Sequence, residues 1–438
     1  MVNYLLNFRT GYAINPMISR ILYTCLLHLL LPSILVRLWW RGRQAPAYRQ
    51  RWQERLGLTP ALQTNAAPLW IHAVSVGEVQ AIATLVKRLQ QRFPDLPILI
   101  TTMTPTGADR VVQLFGNEVE HRYCPYDLPW AMRNFLKIAR PRACLIVETE
   151  LWPNFLRQCK QLKIPVLLAN ARLSERSARG YARFPGLTHQ MLSQLSHLAA
   201  QGEADAQRFQ ALGMDSSRLS VTGSIKFDVA IQPEWATQAQ QLRQLWGTER
   251  PVVLAASTHD DEEAQLLSVL PALLEQHPSL LLVLAPRHPE RFDEVAALCN
   301  TTGLETLRRS QSEQPSPATR IYLADTMGEL MIFCSAADVV FVGGSLIERG
   351  GHNPLEPALL GKPVICGQHT FNFAAITAGL KDAGALVQVE TAQQLAEQVN
   401  LWLKADSARD AAGAAASRYV ASHAGALARL EHQLDTLL

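Results

Sequence analysis

The chain has no G-x-x-x-x-G-K-[ST] segment, which argues against a P-loop nucleotidase, and no G-x-G-x-x-G follows its first strand-like run, as a dinucleotide site would need. C-x-x-C and H-x-x-x-H pairs are also missing, which removes the usual dithiol and zinc spacings. Seven cysteines, an odd number scattered from Cys25 to Cys366, read as reduced cytosolic thiols rather than a disulfide framework. Charge is scarce: 18% of residues are charged and the net charge is only +3, with none of the concentrated basic character that nucleic-acid binding asks for. Nucleic acid is therefore not an expected partner. Neither an internal repeat nor a low-complexity tract is visible.

What the chain does have is apolar material, 48% of its 438 residues, enough to fill the cores of two domains of ordinary size. The N-terminal part differs in kind. From Ile21 to Val36 only Thr24, His28, Pro32 and Ser33 interrupt an apolar run of 16 residues, short of the roughly 20 that a full membrane span requires. Partial insertion, an interfacial position, a strained span and a buried core helix all stay open. Arg37, Arg41, Arg43, Arg49, Arg51 and Arg55 follow, interleaved with Trp39, Trp40 and Trp52, a composition suited to anionic headgroups on a cytoplasmic face. No small-residue cleavage site precedes this cluster, so a cleavable signal is not expected.

After Pro68, short apolar runs alternate with amphipathic segments, the signature of parallel α/β sheets. One series predicts strands at Leu69–Val74, Ile98–Thr102, Ala143–Val147, Val166–Ala169 and Leu219–Thr222. After the Gln-rich stretch 232–250, a second predicts Val252–Ala256, Leu280–Ala285, Val339–Val342 and Val364–Cys366. The expected layout is a membrane-associating segment at 1–45, Rossmann-like domains at 46–230 and 231–405, and an Ala-rich helical segment at 406–438 able to pack on either domain.

Ligands of such sheets bind beyond the carboxyl ends of the strands. In HAVSVGEVQA, Glu78 falls in the first turn of a helix; it is either a general base or a carboxylate that stabilises the helix end, and the segment alone favours the second. In VETELWPN, Glu148 and Glu150 leave a buried strand on one side, where they repel, share a proton, meet a basic side chain, or cap the next helix. Lys226, in TGSIKFD, is placed to meet a phosphate or carboxylate, or is simply solvated. The richest segment is GGSLIERGGHNPLEPALLGKPV. Gly343, Gly344, Gly350 and Gly351 permit close backbone approach, and Asn353-Pro354 reads as an N-cap and N1 proline whose helix end suits an anion. Glu356 follows in the first turn, positioned for ribose hydroxyls. APRHPERF adds Arg287 and His288, and DTMGEL adds a glycine-containing turn; convergence of these segments favours a ligand pocket over plain turns. Asp260-Asp261-Glu262-Glu263 is a candidate metal cluster but reads better as the capped first turn of a surface helix.

Together with RLWWRGRQAPAYRQRWQERLG, TTMTPTGADR, YDLPWAMRNFL and ANARLSERSARGYAR, these motifs resemble the Kdo transferases nearly end to end. The resemblance implies the GT-B architecture, two Rossmann-like domains facing a central cleft, with an N-terminal apolar membrane-associating helix. It implies an inverting enzyme at the cytoplasmic side of the inner membrane, with no metal and no cofactor, transferring Kdo from CMP-Kdo to the lipid A precursor lipid IVA in lipopolysaccharide synthesis. By the same resemblance Glu78 is the general base, and Glu148 and Lys226 stabilise the transition state. Pro286, Arg287, Met327, Gly328, Glu329, Asn353, Pro354, Leu355 and Glu356 then bind CMP. A UDP-sugar transferase or epimerase, and a nucleotide-binding membrane scaffold without turnover, are the competing expectations.

Overall fold

The computed structural model describes residues 16–229, 231–311 and 314–438; the first fifteen positions of the expected membrane-associating segment lie outside the described residues. The chain divides into two compact units, Met1–Asp228 with Ala424–Leu438, and Val229–His423.

The first unit is built on β1 (Leu69–His72), β2 (Ile98–Thr102), β3 (Glu120–Tyr123), β4 (Ala143–Val147), β5 (Val166–Ala171), β6 (His197–Ala200) and β7 (Leu219–Val221), in the order β3-β2-β1-β4-β5-β6-β7. Every pairing is parallel. Both faces of the central strands are covered by helices, so β1, β2, β4 and β5 are buried along their whole length, as parallel strands are. The chain returns here at its end: Ala426, Leu427, Leu430 and Leu434 of the helix Ala426–Asp435 join the core that contains Leu69 and Ile71. Asp228 fixes that return by accepting hydrogen bonds from the backbone N–H groups of Gly425 (2.5 Å) and Leu427 (2.6 Å).

The second unit repeats the plan with β8 (Val252–Thr258), β9 (Leu281–Pro286), β10 (Thr306–Arg308), β11 (Ile321–Leu323), β12 (Val339–Val342), β13 (Val364–Gly367) and β14 (Leu386–Val389), ordered β10-β11-β9-β8-β12-β13-β14 and wholly parallel. The Gln-rich stretch forms the helix Pro233–Trp246, and the Ala-rich helix Asp406–His423 belongs to this unit. Each sheet reverses its strand order once, between β1 and β4 in the first unit and between β8 and β12 in the second, and such reversals open crevices at the strand ends.

The N-terminal helix, Pro16–Gln44, runs through Pro32 and is long and apolar enough, by length and composition, to cross a membrane. Its polarity is inverted relative to a soluble amphipathic helix. Ile18, Ile21, Leu22, Leu26, Leu29, Leu30 and Val36 are exposed, whereas the polar Arg20 and Thr24, one turn apart, face the domain and both bond Asn154. The buried-core alternative is thereby excluded. The basic cluster that follows is not uniformly free for headgroups. Arg55 is buried and donates to the carbonyl of Met103, and Arg51 pairs with Glu54 and bonds His121, while Arg37, Arg41, Arg43 and Arg49 stay exposed.

Candidate active site

In the first unit the two loops flanking the strand reversal carry the acids. β1 ends at His72, and three residues on, Ser75 caps the helix Val76–Ala81. Glu78 answers it. Its Oε1 accepts from the Ser75 hydroxyl (2.8 Å) and its Oε2 from the Val74 N–H (2.7 Å), while the Ser75 oxygen accepts from the Glu78 N–H (3.4 Å). This is a variant of the capping box, with the carboxylate reaching the residue before the cap. Capping is thus a geometrical fact, and it also fixes the carboxylate: Glu78 is 8% exposed, and burial raises its pKa to about 7 against the pull of its two hydrogen bonds. The charges of Glu148 and Glu150 raise it further.

Glu148 follows β4 with φ of +59°, a left-handed conformation costly for a side chain with a Cβ, and its N–H donates to Ala169 (2.9 Å). Its carboxylate meets Lys226, so of the sequence alternatives for this acid the basic partner is realised. Glu150 accepts from Trp152 Nε1 (2.8 Å), and burial raises its pKa. A polar cavity of ≈ 250 Å³ opens beside them, lined by Glu148, Thr149, Glu150, Arg172, Ser174 and Ser177. His72 belongs to the core: fully buried, it bonds Thr101, packs edge-on to Trp152, and is held neutral by burial with a pKa of about 4.

In the second unit the site residues again sit at the strand ends. Pro286 closes β9, and Arg287 after it is exposed, its N–H tied to Thr258 O (2.9 Å). Met327 is 59% exposed, and Gly328 has φ of +88° with open space where a Cβ would be. Glu329 pairs with Arg309 (2.7 Å), which holds its carboxyl below the ordinary value. Asn353 does not cap in the expected way. The helix is the short Leu355–Leu359, beginning after Pro354, and Asn353 Oδ1 accepts from the Leu355 N–H (3.1 Å). Burial raises the pKa of Glu356, opposed by its bond to Asn353 and by the charge of Arg287.

The glycine-rich turn is corrected more deeply. The N–H groups of Gly344, Ser345 and Leu346 converge as an anion-binding nest, but Glu262 fills it, accepting from all three at 2.7, 3.0 and 3.1 Å. Gly343 is needed because a Cβ there would lie 2.6 Å from Ser257 O, a packing demand rather than a ligand's approach. Glu262 and Glu263 do open a helix, Glu262–Gln276, as its first turn, but both are fully buried, the latter paired with Arg291 (2.9 Å), so they turn into the domain rather than toward solvent. No group of three or more His, Cys, Asp or Glu side chains among the described residues is arranged to hold a metal ion.

Sequence reasoning passed over a histidine cluster at this reversal. His259, after β8, and His352, after β12, approach with Nε2 atoms 2.8 Å apart, and His288 stacks edge-on against His259. Burial lowers the pKa of both members of the pair, to about 4 for His352. The signal was positional: each follows a strand bordering the reversal, although 93 residues separate them in sequence.

A family model described as 3-deoxy-D-manno-octulosonic-acid transferase (kdotransferase) matches residues 50–229, and one described as glycosyl transferases group 1 matches residues 249–419. The 3-deoxy-D-manno-octulosonic acid transferase of Haemophilus influenzae is 42% identical over 94% of this chain and 97% of its own length. That of Bordetella pertussis is 37% identical over 96% of this chain and all of its own. Among solved structures, UDP-GlcNAc 2-epimerase from Neisseria meningitidis superposes with a TM-score of 0.57, covering 84% of this chain and 100% of that chain; at 16% identity this is a likeness of fold alone. With such identity along nearly its whole length, the chain belongs to the 3-deoxy-D-manno-octulosonic acid (Kdo) transferase family and is a glycosyltransferase.

Proposed function

We propose that the chain transfers Kdo from CMP-Kdo to lipid IVA, without a metal and with inversion at the anomeric carbon. The observation that carries this reading is Glu78, an immobilised, nearly buried carboxylate with a pKa about 7 beside the Glu148–Lys226 pair. A base works best when its pKa lies near the working pH. Glu78 takes the proton of the acceptor hydroxyl as that oxygen bonds to the anomeric carbon, and the bond from that carbon to the CMP phosphate oxygen breaks, its electron pair leaving with CMP. Positive charge developing on the sugar is countered by Glu148, whose carboxylate Lys226 holds in place at 3.0 Å.

The second unit binds the donor. Pro286, Arg287, the Met327–Glu329 turn and Asn353–Glu356 hold the nucleotide, and Arg287 balances its charge. Because Glu262 already fills the backbone nest of the glycine-rich turn, the phosphate is met by side chains rather than by those amides. The N-terminal helix lies in the inner membrane at its cytoplasmic side, its exposed aliphatic face toward lipid and Arg41, Arg43, Trp39 and Trp40 at the headgroups.

The test is transfer from CMP-Kdo, generated in the assay, to lipid IVA, with product mass measured and Glu78→Ala alongside. A product heavier by Kdo, reduced about 10²–10⁴-fold in the variant while CMP still binds, is expected. Near-normal turnover in Glu78→Ala would remove Glu78 from the role.

A further inference from the structure

A second cavity of ≈ 400 Å³ lies against the acidic one, and Ser177 lines both. Its walls are mostly apolar: Tyr23 from the N-terminal helix, Leu151 from the loop that carries Glu148 and Glu150, and Phe184, Leu187 and Met191. Phe184 on this wall is 60% exposed and so adds open apolar surface to it. The volume falls in the range of about 300–1,000 Å³ that holds small ligands.

The rim is basic. The helix Glu175–Ala182 buries none of its residues, and Arg176, Arg179 and Arg183 recur along it at helical spacing, with Arg172 lining the acidic cavity. Among the described residues none of these four arginines has a carboxylate within 4.0 Å. An apolar chamber walled in part by the lipid-facing helix, a helix on its wall that also carries unpaired guanidinium groups, and a polar cavity with the candidate catalytic acids therefore lie together. That grouping matches a phosphorylated sugar carrying fatty acyl chains.

We propose that this chamber is an acyl-chain site, which seats one fatty acyl chain of the acceptor lipid while the arginine row meets its phosphate. The N-terminal helix is then part of the acceptor site as well as an anchor. This inference rests on the lipid-acceptor reading above and deepens it. Gly180 offers a clean test, because it lines the chamber, lies in a helix, and has open space where a Cβ would be. Gly180→Leu fills the chamber and favours the helix by propensity, so the fold is not put at risk.

The full-length enzyme in detergent micelles is assayed with a series of bisphosphorylated disaccharide acceptors whose acyl chains are progressively shorter. The wild type should show kcat/KM rising with chain length. Gly180→Leu should flatten that rise, losing about tenfold on the longest chain, the worth of roughly two buried methylenes, and little on the shortest. KM for CMP-Kdo should not move. An unchanged slope, or an equal loss at every length, overturns the acyl site. So does a loss that appears only in phospholipid vesicles and is independent of acceptor chain length, which would assign the chamber to bilayer lipid. A wild type that transfers to no member of the series overturns the donor and acceptor reading itself, a result distinct from these.

Discussion

Lys226 Nζ stands 3.0 Å from Glu148 Oε1, which ties the loop after β7 to the loop after β4 and places a cation beside the acids that act on Glu78. Both side chains are about one-third exposed, so the pair contributes little to stability; its weight is electrostatic and local. Lys226→Met leaves the negative charge of Glu148 unbalanced, and repulsion then raises the pKa of Glu78. The acidic limb of the pH profile of kcat/KM should move to higher pH. Glu148→Gln removes the repulsion and should move it to lower pH. Profiles of the two variants that coincide would show that neither charge reaches the base.

Glu78 also makes the fold sensitive to pH. Its pKa rises from 4.5 to about 7 on folding, so the native state holds the proton more tightly than the unfolded chain. The associated stability is complete below about pH 4.5 and is lost as pH rises through 7. Glu78→Gln, which stays neutral and keeps most of the shape, should therefore gain on the wild type at pH 8, by up to about 3 kcal/mol, with the advantage shrinking toward pH 5. Urea unfolding at the two pH values measures it. A constant difference would mean that the carboxyl does not titrate on folding.

The strands legible in the sequence are those whose physics is simplest. Ile98–Thr102, Ala143–Val147 and Val339–Val342 are buried on both faces; the last two appear as unbroken apolar runs and the first as an apolar run closed by two threonines, all with the expected bounds. The edge strand β7 was legible, but strands toward an edge of each sheet, β3, β10 and β11, were missed. β3 reads Glu-His-Arg-Tyr because its outward positions face solvent and charged partners, and β10 and β11 are three residues long. β6, His-Leu-Ala-Ala, lacks the β-branched residues that mark a strand. The acids were legible as strand-end residues and the helix-end role of Glu78 is local, made by Ser75 and Val74, but the partner of Glu148, Lys226, lies 78 residues away and no single segment reveals it. Glu262 was placed correctly in a first turn, but its burial was not legible, because its partners, Gly344 to Leu346, lie more than eighty residues away.

Glu262 sets the shape of the glycine-rich turn. Its carboxylate satisfies three buried N–H groups on that turn and accepts from the His259 N–H (3.1 Å). Glu262→Gln presents an amide donor to amide donors, and at least one contact turns repulsive. A loss of about 1–3 kcal/mol is expected from leaving such a group unsatisfied, read from urea unfolding. CMP affinity should fall with it, since Asn353 to Glu356 follow the same turn. Unchanged CMP affinity in a destabilised variant would separate the turn's architecture from donor binding.

Asn154 joins the N-terminal helix to the candidate catalytic loop. Its side chain bonds Thr24 (3.0 Å) and accepts from Arg20 (3.4 Å), its Nδ2 donates to Asp127 O (2.8 Å), and its N–H donates to Asp127 Oδ2 (3.0 Å). It lies four residues after Glu150, so the lipid-facing helix is braced against the segment that carries both acids. Asn154→Ala keeps the backbone bond to Asp127 but frees Thr24 and Arg20. The variant should fold, bind CMP as the wild type does, and show a raised KM for the lipid acceptor, because the helix wall of the acyl chamber loses its register. If kcat falls instead with acceptor KM unchanged, the brace serves the acids rather than the lipid. If neither moves, the contact is no more than a packing contact.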